Sequence, residues 1–179
     1  IDTKDVPRNK QDSILRDVMD FSNIDFSKKD FKIDEIDKTI IRTLVKDART
    51  PILSIAREVG ISGAAIHQRL KKLEKSKLIE GYNMIINPKS LGYTTTAFVG
   101  VYLDSSSQLS SSIKRLKEIP EVIESHYTTG NYAILVKILC KDNESLMRIL
   151  NDKIQPIKNV LRTETFISLD QQIKRQINI

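Results

Sequence analysis

Two helical patterns in this chain stand only two residues apart, and that spacing constrains the fold more than any other feature. The first places Ile55, Ala56 and Val59 on one face; the second starts at Ser62, a good N-cap, and carries Ile66, Leu70 and Leu73 at spacings of four and three. Between them lie Ile61 and Gly60, whose missing β-carbon allows a left-handed turn. Helices joined so tightly through a glycine cross steeply, which is the helix-turn-helix arrangement. A further helix precedes them, capped by Asp34, with Ile36, Ile40, Ile41, Leu44 and Val45 on one apolar face and an end near Asp47-Ala48-Arg49. Thr50-Pro51 then opens the middle helix, with Thr50 as cap and Pro51 as first helical residue.

The last helix of the three is the candidate reading helix. Its apolar positions face a core, which leaves Ala64, His67, Gln68, Lys71, Lys72 and Lys75 on the other side. Small residues at its first turn, Gly63, Ala64 and Ala65, let the backbone approach a major groove closely, and Gln68 has the paired donor and acceptor that match an adenine edge. The lysines suit phosphates, which set affinity and register without reading sequence. Arg69, at the border of the buried face, fits either a structural ion pair or a DNA contact. The candidate DNA-binding set is thus Thr50, Ser62, Gly63, Ala64, Ala65, His67, Gln68, Arg69, Lys71, Lys72 and Lys75.

Charge supports this placement. Of the formal net charge of +6, +4 falls within 32–82, and 62–77 alone holds five basic residues against Glu74. Such a local positive face suits a polyanion; the alternative is a solvated lysine-rich helix. After Leu78-Ile79, the turn Glu80-Gly81-Tyr82-Asn83 leads into Met84-Ile85-Ile86, which reads as a short wing strand, and Asn87-Pro88-Lys89 marks a domain boundary.

Several function classes drop out. A single cysteine, Cys140, makes no internal disulfide, and His67 and His126 are too few for most protein metal cages, so no metal site is expected. No stretch approaches the ~18 apolar residues of a membrane span and no signal-peptide core opens the chain, so the expectation is a cytoplasmic protein with no membrane partner. Neither a phosphate-cradling glycine loop nor a nucleophile–base pair is visible. Cys140 reads as a buried inert thiol and His126 as an exposed or interface histidine, so no catalytic residue and no enzyme is expected.

The remainder alternates strand and helix patterns. Strands are expected over 94–103, 122–128, 132–140 and 160–168, with one helix on Leu109, Ile113, Leu116 and Ile119 and another on Leu146, Ile149, Leu150 and Ile154, stopped by Pro156. Thr129-Gly130-Asn131 reads as a hairpin turn in which Gly130 removes the cost of positive φ. The order β-α-β-β-α-β is the ferredoxin-like split unit. Apolar residues on both faces of these strands point to a second copy of the sheet as cover, hence a homodimer. The fold class is therefore α+β: a winged helix-turn-helix domain over 32–82, a linker over 83–92, and a ferredoxin-like domain with a C-terminal tail over 93–179. Residues 1–31, with a candidate helix over 9–21, form an extension that fits an extra dimer contact or, less well given its slight negative charge, an arm along DNA.

These residues together resemble the leucine-responsive and asparagine-regulator (Lrp/AsnC, feast/famine) transcription factors. The likeness runs from Asp34-Glu35-Ile36-Asp37, Ile40-Ile41-Arg42-Thr43-Leu44 and Asp47-Ala48-Arg49 through Val59-Gly60-Ile61-Ser62. It continues in Ile66-His67-Gln68-Arg69-Leu70, Leu73-Glu74, Leu78-Ile79, Gly81-Tyr82 and Thr129-Gly130-Asn131-Tyr132. The resemblance implies a regulator without a cofactor that binds double-stranded promoter DNA as a dimer, often assembled into tetramers or octamers. It also implies a small-molecule effector, usually an amino acid, held at the turn of Thr129, Gly130, Asn131 and Tyr132. Exposed backbone N–H groups there suit a carboxylate, while a plain hairpin turn is the alternative. An architectural DNA-binding protein of the same fold with little sequence preference is the competing function. Two departures stand out. Ala133 replaces the Asp that commonly follows the hairpin Tyr, implying a different ligand, and Lys77 stands where the family usually ends the third helix with Gly, at a left-handed cost of roughly 1 kcal/mol.

Overall fold

A computed structural model describes residues 32–177 and Ile179. They fall into two compact units, one over 87–172 and one over 32–86 together with the tail from Ile173. The tail, expected with the sheet domain, thus groups with the helices: Ile179 packs against the helical core and Arg42 Nε donates to the Ile179 carbonyl at 2.5 Å. The extension 1–31 lies outside the described residues.

The helical unit has α1 at Glu35–Lys46, α2 at Ile52–Val59 and α3 at Gly63–Lys75. Its core is Ile40, Ile41, Ile55, Ala56, Ile66, Leu70 and Leu73, as their spacing predicts, whereas Val45 turns outward and is half exposed. α1 begins with a reciprocal capping box: the Asp37 N–H donates to Asp34 Oδ1 at 2.8 Å and the Asp34 N–H donates to Asp37 Oδ2 at 3.2 Å. Thr50 does not cap α2. Its hydroxyl donates to the Asp47 carbonyl at 2.8 Å within the preceding turn, and Pro51 takes the cap position, its carbonyl accepting from Ser54 and Ile55. Gly60 closes α2 at φ 71°, and the Ile61 N–H donates to the Ala56 carbonyl at 3.1 Å. The corner is tight: a β-carbon at Gly63 would lie 3.2 Å from Leu53 Cδ2.

α3 ends in a Schellman motif on Lys77. The N–H of Leu78 donates to the Leu73 carbonyl at 3.1 Å and that of Lys77 to Glu74 at 2.9 Å, which needs position 77 left-handed; Lys77 sits there at φ 59°. At the other border of α3, Arg69 Nη1 lies 2.7 Å from both Asp34 Oδ2 and Asp37 Oδ1, so it braces the start of α1 against the middle of α3. The Asp37 side chain is nearly inaccessible, at 4%, which makes its cation partner necessary.

Met84-Ile85-Ile86 forms no strand, a correction to the expected wing: the segment is exposed and paired with no strand among the described residues. β-propensity alone cannot hold a strand whose backbone has no ladder partner.

The second unit follows the expected element order. A 3-10 turn at Pro88–Leu91 leads into β1 at Thr95–Leu103, then α4 at Leu109–Lys117, β2 at Val122–Tyr127, β3 at Ile134–Cys140, α5 at Asn143–Arg148 and β4 at Val160–Ser168. The antiparallel sheet has the order β2-β3-β1-β4, the split β-α-β-β-α-β unit. Ala97, Val99 and Val101 of β1 and Ile134, Val136, Ile138 and Cys140 of β3 form a core with Leu109, Leu116, Leu146, Ile149 and Ile154. Past Arg148 the helix widens into a π-helical turn, Ile149–Ile154, closed by the Gln155 N–H on the Leu150 carbonyl at 2.8 Å. The opposite face is mixed: Phe98 pairs with Phe166 across β1 and β4, Leu135 and Leu139 lie half-buried, and Lys137 bonds Glu124 at 2.8 Å.

Two stability outcomes follow from the helical unit. Lys77→Gly relieves about 1–2 kcal/mol of left-handed strain and gives back ~0.5–1 kcal/mol of unfolded-chain entropy, so urea denaturation should show a gain of about 0.5–1 kcal/mol. Arg69→Met should cost about 2 kcal/mol in the same assay, between the values for exposed and buried pairs. The Asp34 carboxyl is held below its ordinary value by the Asp37 N–H first and by Arg69 next. A depressed folded pKa adds stability that is complete above the unfolded value and lost as pH falls through the folded one, so the wild type should weaken below about pH 4, and Arg69→Met less steeply.

Candidate nucleic-acid interface and effector turn

α3 presents two faces fixed by burial. Ile66, Leu70 and Leu73 are inaccessible or nearly so, and this rotation turns Ser62, Ala64, His67, Gln68, Lys71, Lys72 and Lys75 to the exposed side, with Gly63 and Ala65 half-buried at its edge. Ser62 accepts from the Ala65 N–H at 3.2 Å and so fixes the first turn of the helix. The exposed face runs from small side chains through His67 and Gln68 to three lysines, with no carboxylate among them. Glu74, the lone acid of α3, is drawn aside by Tyr82, whose hydroxyl donates to Glu74 Oε1 at 3.0 Å. Burial first, and the Glu74 contact next, raise the Tyr82 hydroxyl pKa above its ordinary value. Sequence reasoning missed this tie, because an eight-residue separation across a helix end has no periodic signature.

Two members of the candidate set are committed elsewhere. Arg69 is engaged by Asp34 and Asp37 in a structural ion pair. Thr50 lies on the turn before α2, its hydroxyl bonded to Asp47. The other nine share one helix start and one helix face.

In the sheet unit, the connection between β2 and β3 is wider than expected. The strands end at Tyr127 and resume at Ile134, and the Thr128 N–H donates to the Ala133 carbonyl at 3.0 Å across its neck. Thr129, Gly130 and Asn131 are exposed and Tyr132 is half-buried. Gly130 has no positive φ, contrary to the expectation for a tight hairpin, and a β-carbon there would meet nothing within 4 Å. A six-residue connection spreads the reversal over ordinary backbone angles, so the glycine is not required by the turn. Ala133 packs against the helix-side core, where a carboxylate would be costly.

Cys140 is buried, its thiol pKa raised chiefly by burial, and His126 is exposed with Glu124 Oε2 at 3.8 Å. Among the described residues no His, Cys, Asp and Glu cluster could hold a metal ion, and no helix is long and apolar enough to cross a membrane.

Comparison with known proteins places both units. Residues 33–74 match the AsnC-type helix-turn-helix domain, and residues 96–177 match the Lrp/AsnC ligand binding domain. The regulatory protein AsnC of Haemophilus influenzae is 41% identical over 145 residues, 81% of this chain and 97% of that protein. Its Escherichia coli counterpart is 36% identical over 149 residues, 83% of this chain and 98% of that protein. The solved structure of E. coli AsnC superposes with a TM-score of 0.79, covering 82% of this chain and 99% of that one. A feast or famine regulatory protein from M. tuberculosis, solved with L-methionine, is 28% identical, with a TM-score of 0.76 over 83% of this chain and 99% of its own. Both halves of the sequence reading thus meet in one assignment: the chain belongs to the Lrp/AsnC family of transcriptional regulators, which are not enzymes.

Proposed function

We propose that this regulator binds promoter DNA in a sequence-specific manner through α3, as a dimer or a larger even assembly, and that an amino acid bound at the 129–132 turn modulates it. The observation that carries the reading is the division of α3: burial of Ile66, Leu70 and Leu73 leaves a face in which Gln68 and the small residues near Ser62 can approach base edges while Lys71, Lys72 and Lys75 meet phosphates. A two-fold dimer places two such helices about one helical turn apart on a pseudo-palindromic site. The exposed Phe98–Phe166 pair with its half-buried leucine neighbours supports the sheet face as the dimer surface. The M. tuberculosis relative with L-methionine supports an amino-acid effector, and the exposed turn offers free backbone donors and the Asn131 amide for it.

Fluorescence anisotropy against the DNA upstream of the protein's own gene and against a scrambled duplex, at several salt concentrations, tests this reading. Tighter binding to the natural sequence near physiological salt is expected; equal binding that collapses with salt would favour an architectural protein. Gln68→Ala should cost about 1–3 kcal/mol at particular base pairs only. Lys71→Ala should weaken all duplexes alike and reduce the salt slope by about 1. Equal losses on both duplexes from both variants would remove sequence reading from α3.

A further inference from the structure

The Tyr132 ring, at the end of the turn, occupies the space that a side chain at position 100 would need. A β-carbon on Gly100 would stand 2.5 Å from Tyr132 Cδ1, 2.7 Å from Cγ and 2.9 Å from Cε1, closer than packed atoms approach. Gly100 has no positive φ, so backbone freedom does not call for glycine there; the ring does. The same ring meets Tyr102 edge to face, centroids 5.9 Å apart at 83°. Tyr102 is in turn held by β4. Its hydroxyl donates to Glu164 Oε2 at 2.8 Å, and the Arg162 guanidinium lies 3.6 Å above its ring. These contacts follow the strand register, in which Gly100 opposes Glu164 and Tyr102 opposes Arg162.

The turn itself has few other anchors. Thr129, Gly130 and Asn131 are exposed, and the backbone is fixed near its ends, by the Thr128 N–H on the Ala133 carbonyl, the Thr128 hydroxyl on the Tyr132 carbonyl and the Ala133 N–H on the Val101 carbonyl at 3.1 Å. Tyr132 is the one side chain between those ends that is packed.

We infer that Gly100 and Tyr102 are positioning residues of the effector site: they seat Tyr132 and thereby hold the 129–132 turn ready for an amino acid, with Glu164 and Arg162 of β4 fixing Tyr102. This rests on the effector reading above. A turn held in its binding conformation before the ligand arrives binds more tightly than one ordered by it. The arrangement also explains why the site tolerates Ala133: the packed residue of the turn is Tyr132, on the opposite side of the sheet from the core that Ala133 joins.

Amide hydrogen exchange without ligand and calorimetric titration with L-asparagine and L-methionine, on full-length wild type, Gly100→Ala and Tyr102→Leu, test the inference. Tyr102→Leu keeps the test decisive if Gly100→Ala fails to fold. Amides of 128–133 should exchange about tenfold faster in the variants while those of the β1 and β3 core do not change, and affinity for whichever amino acid the wild type binds should fall about tenfold. Tyr102→Phe, which keeps the ring, should retain most of that affinity. Unchanged turn exchange would overturn the inference, as would a loosened turn with unchanged affinity. A wild type that binds neither amino acid would overturn the effector reading itself, and exchange alone would then decide whether Gly100 and Tyr102 hold the turn.

Discussion

The rotation of α3 about its own axis is the constraint on which the DNA-binding unit depends. Ile66, Leu70 and Leu73 are buried against a core with Ile40 and Ile55, and a helix with three anchored positions has no freedom to present another face. Everything proposed for base and phosphate contact is a consequence of that burial. The Arg69 brace adds a second restraint, joining the same helix to the capping box of α1. Polar restraints of this kind add little net stability but penalise other arrangements, because an arrangement that lost Arg69 would strip the buried Asp37 carboxylate of this cation.

The sheet unit applies the same logic to a loop. Its helix-side core fixes β1 and β3, and the opposite face then presents Gly100 as a gap into which Tyr132 fits. A glycine that leaves room for a neighbour's ring links a strand position to a turn more than thirty residues later. The turn therefore takes its shape from the sheet face and not from its own glycine.

Much of this was legible in the sequence, for a physical reason. Apolar spacing of three and four over α1 and α3, the Gly60 stop and the Ser62 cap are local signals, and local signals decide helices. The ferredoxin-like order was legible because the strand segments are rich in β-branched and aromatic residues and each helix has its apolar stripe. What escaped was contact between positions far apart in sequence. Nothing local says that Arg69 meets Asp34 and Asp37, that Tyr82 draws Glu74 aside, or that Gly100 serves Tyr132. Local readings failed in places too: Thr50, read as the cap of α2, bonds back to Asp47. Met84-Ile85-Ile86 has strand composition without a ladder partner, and Gly130 resembled a tight-turn glycine although the loop is wide enough to need none. The π-helical turn after Arg148 left no trace either, since its register change only shows once Ile149 and Ile154 are both seen buried.

Entry of the exposed face of α3 into the major groove of DNA can be tested directly because the chain's single cysteine is buried. A Gln68→Cys variant carrying an iron chelate at the new thiol would cut bound DNA wherever that residue sits. Two discrete cleavage centres about one helical turn apart are expected on the duplex upstream of the protein's own gene. Cleavage spread evenly along that duplex, or matched by a chelate placed at Glu118 in the other unit, would contradict entry of α3 into the groove.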